Sequence, residues 1–91
     1  MVYVISYDVA DDNTRNRVSK TLDDFGTRVQ KSVFECNLTA EQFASLLAQL
    51  SQTRLGELDS IRLYTLCKEC CGKVKILGIG ELTHDEEVYV V

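Results

Sequence analysis

Ninety-one residues with 10 Lys/Arg against 14 Asp/Glu give a net charge of −4, and 45% of the chain is apolar. That length holds one core and one domain, 1–91, and that composition excludes a disordered chain. No apolar run approaches the roughly 18 residues that a membrane span requires, and MVYVISYD has no basic flank and meets Asp8 too early for a signal peptide; the simplest location is cytoplasmic, with no membrane partner.

Residues 2–9, VYVISYDV, form a β-branched and aromatic run that predicts a buried strand. Alternation places Val2, Val4, Ser6 and Asp8 on one face and Tyr3, Ile5, Tyr7 and Val9 on the other. Asp8 then projects from the strand's carboxyl end. Asp11, Asp12 or Asn13 can cap a helix whose apolar stripe is Val18, Leu22 and Phe25. Gly26 is expected to end this helix in a left-handed conformation. Residues 28–31 and 32–38 read as two strands, or as one bent strand, because the turn between them is poorly marked. Thr39 and Gln42 make a capping box for a second helix striped by Phe43, Leu46, Leu47 and Leu50. SIRLYTL, residues 60–66, is another strand. CKECCGK follows as a loop, and KVKILGIG as a final strand. The terminal VYVV reads as strand again, which makes 81–91 an acidic tail or docking strand.

The order β-α-β-β-α-β, with an extra C-terminal strand, points to an α+β ferredoxin-like sandwich. Two helices cover one face of such a sheet. The second face is expected to be buried against another copy, giving a two-fold homodimer.

The charge is unevenly distributed. Glu81, Asp85, Glu86 and Glu87 fall in the last eleven residues, which contain no Lys or Arg, whereas the other 80 residues balance. A phosphate-binding patch requires local positive potential rather than a basic protein, so nucleic acid is allowed by composition without being implied by it.

The stretch 6–35 resembles the CRISPR-associated Cas-two family. The matching residues are Tyr7-Asp8, then Ala10-Asp11-Asp12 with Arg15-Asn16-Arg17, then the run from Gly26 through Arg28, Val29, Gln30, Ser32, Val33 and Phe34 to Glu35. A looser match runs through Asp59 to Tyr64. The resemblance implies a ferredoxin-like homodimer, metal-dependent phosphodiesterase activity in some members, and a scaffold role in the complex that integrates foreign DNA. The CKECC cluster departs from the family core.

On that reading Asp8 is the catalytic and metal-holding residue. Alone it is a solvated carboxylate, but two copies of Asp8 facing a shared axis would repel, and a divalent cation removes that repulsion. Mg²⁺ (or Mn²⁺) suits one or two carboxylates with water and substrate phosphate completing its shell. Arg15, Arg17, Arg28 and Lys31 are the expected nucleic-acid contacts. Arginine near a helix start opposes the dipole preference for acids and makes sense if phosphate is the guest. Tyr7 and Phe34 support the site by packing. The expected partners are duplex DNA or single-stranded RNA, read with little sequence specificity, and a CRISPR integrase subunit. The alternative is a non-catalytic dimer that bridges integrase subunits on duplex DNA. Cys67, Cys70 and Cys71 hold a single Cys-x-x-Cys, half of what a zinc site needs.

Overall fold

In the computed structural model, which describes residues 1–83, the first helix begins where a carboxylate can cap it. Asp11 accepts from the Thr14 amide and hydroxyl, each at 2.9 Å, and these two donors, the amide foremost, hold its carboxyl below the ordinary value. The helix α1 runs Asp12–Asp23, between the strand β1, Val2–Asp8, and a hairpin of β2, Thr27–Gln30, with β3, Val33–Asn37. The hairpin turns at Lys31-Ser32, which settles the two-strand alternative. Thr39 and Gln42 form the expected reciprocal capping box at the start of α2, Ala40–Ser51. The strand β4, Ser60–Leu66, follows.

The four strands lie in the order β2-β3-β1-β4, all neighbours antiparallel. With the helices between them in sequence this is the ferredoxin-like sandwich. Tyr3, Ile5, Tyr7 and Val9 are buried together with Val18 and Leu22 of α1, Phe34 and Cys36 of β3, and Leu46 and Leu50 of α2. Tyr3 stacks on Phe43 with centroids 4.1 Å apart and rings 7° from parallel. Leu47, expected in the stripe, is exposed: the turn of α2 that buries Leu46 and Leu50 leaves it at the margin. On the opposite sheet face, cross-strand partners place Val4 beside Glu35 and Tyr64, and Ser6 beside Val33 and Arg62.

Three local expectations are corrected. Gly26 is not left-handed; positive φ occurs only at Gly78 and Gly80 among the described residues. The helix ends instead at Asp24 in right-handed geometry, and Gly26 is needed because β3 passes too close for a side chain. A Cβ there would overlap the Glu35 carbonyl and the Cys36 sulfur and lie 2.9 Å from the Cys36 Cα. The CKECC stretch is not a loop but a one-turn helix, α3, Lys68–Cys71. Residues 73–80 are not a strand. Gly78 (φ 90°) and Gly80 (φ 141°) break the extended path, and Leu77 and Ile79 are fully exposed. Apolar, β-branched residues favour a strand only where a sheet edge accepts them, and none does so within the described residues. The ribbon instead returns to the sheet's second face, where the Thr83 amide and hydroxyl donate to the Glu35 carboxylate at 2.9 and 3.0 Å. His84 and the VYVV terminus lie outside the described residues.

Burial pushes the Cys36 thiol up to about 11 from an ordinary 9.0, with the Glu35 charge adding to the effect. A thiol whose folded pKa is raised contributes stability that is complete below its unfolded value and is lost as pH rises through the folded one. Thermal midpoints should therefore be insensitive to this group below pH 9.0 and fall between pH 9.0 and about 11. In Cys36→Ala, scanned over the same range, that alkaline limb should be shallower.

Candidate nucleic-acid and metal site

Asp8 is the last residue of a central strand. Alternation turns its carboxylate away from the core that holds Tyr7 and Val9, so it is exposed while both neighbours are buried. It shares a shallow cavity of about 310 Å³ with Tyr7, Val9, Arg15, Lys31 and Ser32. The chain builds this proximity across 24 residues. The Tyr7 amide donates to the Ser32 carbonyl at 3.1 Å, and the Tyr7 hydroxyl to the Lys31 carbonyl at 3.5 Å. Those bonds fasten the β2–β3 turn to the end of β1 and bring Lys31 to the cavity that Asp8 lines.

The four cations assigned from sequence do not act alike. Arg15 and Lys31 line the Asp8 cavity. Arg15 also donates to the Val9 and Ala10 carbonyls at 3.1 and 3.3 Å and pairs with Asp12. Its place near a helix start is thus balanced from within the chain, by carbonyls and a carboxylate, and does not by itself call for phosphate. Arg28 is more committed still. Its guanidinium lies 5.3 Å over the Phe34 ring, donates to the Lys31 carbonyl at 3.1 Å, and bonds the Ser19 hydroxyl of α1. Arg28 therefore braces the turn that carries Lys31, and a second small cavity joins it to Arg15, Lys31 and Tyr7. Arg17 faces elsewhere, into a groove between α1 and α2 shared with Thr14, Gln49, Gln52 and Arg54. Phe34 is fully buried and tilted 32° to Tyr7 at 6.3 Å, so both rings are core.

Three contributors were not assigned from sequence. Asp59 accepts from the Ala10 amide at 3.0 Å and the Gly56 amide at 2.8 Å, fixing the turn that follows Asp8. Its signal was the Gly-x-x-Asp spacing before β4. Ser32 lines both cavities and sits in the family-like run without a role there. Arg54 adds a second cation to the Arg17 groove, a place that only the meeting of two helices defines.

Among the described residues no three His, Cys, Asp or Glu side chains converge as a metal cage would require. Among the described residues this cavity holds one carboxylate, Asp8. Magnesium accepts one or two carboxylates and keeps its waters, so this donor fits as half of a site and not as a whole one. No helix among the described residues is long and apolar enough to cross a membrane.

Comparison with known proteins agrees with this architecture. Residues 1–74 match the family model described as CRISPR associated protein Cas2. A relative from Chloroflexus aurantiacus, named CRISPR-associated endoribonuclease Cas2 3, is 44% identical over 91 residues, covering 100% of this chain and 98% of its own. The crystal structure of Streptococcus pyogenes Cas2 at pH 6.5 superposes with a TM-score of 0.72 at 36% identity, covering 86% of this chain and all of that one. A chain of a partial Cas6-RT-Cas1–Cas2 complex superposes with a TM-score of 0.60 at 28% identity, over 84% of this chain and 89% of that one. With its strand order, its Tyr7-Asp8 strand end and a match across most of its length, the chain belongs to the CRISPR-associated Cas2 family.

Proposed function

We propose that the protein works as a homodimer that hydrolyses phosphodiester bonds in RNA or DNA with Asp8 of both copies holding Mg²⁺ (or Mn²⁺), and that it serves in acquiring new CRISPR spacers beside an integrase subunit. The observation that carries the reading is the placement of Asp8: exposed, at the end of a central strand, in one cavity with Arg15 and Lys31. A lone carboxylate among cations would otherwise be neutralised by them. Here Arg15 is taken by Asp12 and two carbonyls, leaving Asp8 without a side-chain partner among the described residues.

Dimerisation is supported by what the sheet's second face and the ribbon expose. Tyr64, Leu77 and Ile79 are open to solvent, and a second copy would cover them. Lys31 supplies the positive field for a phosphate group, and backbone contacts of this kind carry no base readout. Bound magnesium would supply neutralisation of the charge that builds on the scissile phosphate and a more acidic water. Asp8 would hold the ion and Lys31 would orient the phosphate, while Arg15 ties the helix start to the end of β1 and Arg28 with Asp59 keeps both turns in place.

The relative named as an endoribonuclease supports cleavage, and the neighbour found in a complex with Cas1 supports a partner in spacer acquisition. The same neighbour favours a second reading, in which the dimer bridges integrase subunits on duplex DNA and cuts nothing. Metal exchange separates them. Cleavage of single-stranded RNA or duplex DNA should vanish in EDTA and return with Mg²⁺ or Mn²⁺. Should neither substrate be cut at any metal concentration or pH, the enzyme reading is lost and the bridging one stands.

A further inference from the structure

Cys67 and Cys70 lie outside everything the Asp8 site uses. Cys67 caps α3 in an extended conformation (φ −71°, ψ 168°), and its sulfur accepts from the Cys70 amide at 3.4 Å. Both residues are exposed, whereas Cys36 is buried and Cys71, half-buried, turns back to donate to the Leu66 carbonyl at 3.9 Å. Of four thiols, two are thus exposed and adjacent, with the Cys67 sulfur resting on the Cys70 amide. Residues three apart over one helical turn bring their Cα atoms within the roughly 4.4–6.8 Å that a disulfide bridges.

The two sulfurs are also unequal. The Cys70 amide and thiol stabilise the Cys67 thiolate and hold its pKa below the ordinary value, against the opposing charge of Glu69. The contact with Cys67 pushes the Cys70 thiol up. An exposed thiol whose ionisation is favoured, beside one whose ionisation is disfavoured, is an arrangement suited to thiol–disulfide exchange.

We propose that Cys67 and Cys70 are a reversible dithiol–disulfide pair, with Cys67 attacking, Cys70 resolving, and a small-molecule disulfide such as glutathione disulfide as the oxidant. The Cys67 thiolate attacks one sulfur of the oxidant, forming a mixed disulfide and expelling the first thiolate. The Cys70 thiol gives up its proton and attacks the Cys67 sulfur, expelling the second. The pair loses two electrons and two protons in all, and the oxidant leaves as two thiols. The bridge would close across α3, at the root of the ribbon that ends with Thr83 on Glu35.

The test is equilibration of the intact protein in mixtures of reduced and oxidised glutathione, followed by acid quenching, alkylation and mass measurement. The expected product is lighter by two hydrogen atoms, carries no glutathione, maps to Cys67–Cys70, and appears over a single two-electron transition. That transition should be absent from Cys67→Ser and Cys70→Ser and retained in Cys71→Ser, with circular dichroism showing all three folded. In the reduced protein at neutral pH, Cys67 should be alkylated at least about 10-fold faster than Cys71. A stable glutathione adduct, a disulfide joining two chains, a transition surviving Cys67→Ser, or near-stoichiometric zinc holding the thiols would each overturn the proposal.

Discussion

Gly26→Ala should leave a protein that is largely unfolded or melts far below the wild type. The new methyl group would meet the Glu35 carbonyl, the Cys36 sulfur and the Cys36 Cα at once. Two of these are backbone atoms of β3, a strand held between β1 and β2, so no side-chain rotation relieves the clash. Overpacking in a well-filled core typically costs 1–3 kcal/mol and more where backbone must move; about 3 kcal/mol is a sensible floor. For a domain of this size that lowers the melting midpoint by more than ~10 °C. Gly72→Ala is the matched control. Gly72 has φ −68°, and a Cβ there meets only the Glu69 and Lys68 carbonyls at 3.5 and 3.9 Å, so its midpoint should barely change. Equal losses at the two positions would contradict close approach as the reason for Gly26.

Asp8→Ala should abolish cleavage without harming the fold. The side chain is exposed and has no hydrogen bond or ion pair among the described residues, so its removal leaves no buried group unsatisfied. Losing the carboxylate that each copy is proposed to offer the metal should forfeit several kcal/mol of charge stabilisation, or roughly a 100-fold or greater fall in rate. Thermal unfolding should superpose on the wild type. Spacer acquisition scored in cells with the same variant then separates chemistry from scaffolding: acquisition that persists while cleavage is gone makes cutting dispensable to it. Wild-type cleavage rates in Asp8→Ala would remove this residue from the reaction.

Much of the scaffold was legible because its signals are local and periodic. The two-residue alternation of β1 separated Tyr3, Ile5 and Tyr7 from Ser6 and Asp8, and the Thr39–Gln42 box fixed the start of α2. The hairpin turn was harder to place because Lys31-Ser32 contains none of the Gly, Asn or Asp that mark tight turns. The ribbon 73–80 misled for the opposite reason: its Val and Ile residues favour a strand, but pairing depends on an edge that sequence does not display. Gly26 was identified as special with the wrong cause, since a helix-ending glycine and a close-approach glycine look alike in a sequence.

At the site, Asp8 and its cations could be listed but not grouped. What gathers Lys31 and sends Arg17 to another groove is the bond from Tyr7 to Ser32 and the crossing of α1 with α2. Both are long-range facts. An arginine near a helix start does not by itself call for phosphate in this chain, because Arg15 finds carbonyls and Asp12 close by.

The central claim is that one carboxylate becomes a metal site only when its counterpart on a second copy stands opposite. Titration with Mn²⁺, followed by electron paramagnetic resonance and combined with light scattering for the mass of the particle, tests it directly. The account predicts one tightly bound ion for every two chains, lost in Asp8→Ala. One ion per chain, or undiminished binding in the variant, would contradict it.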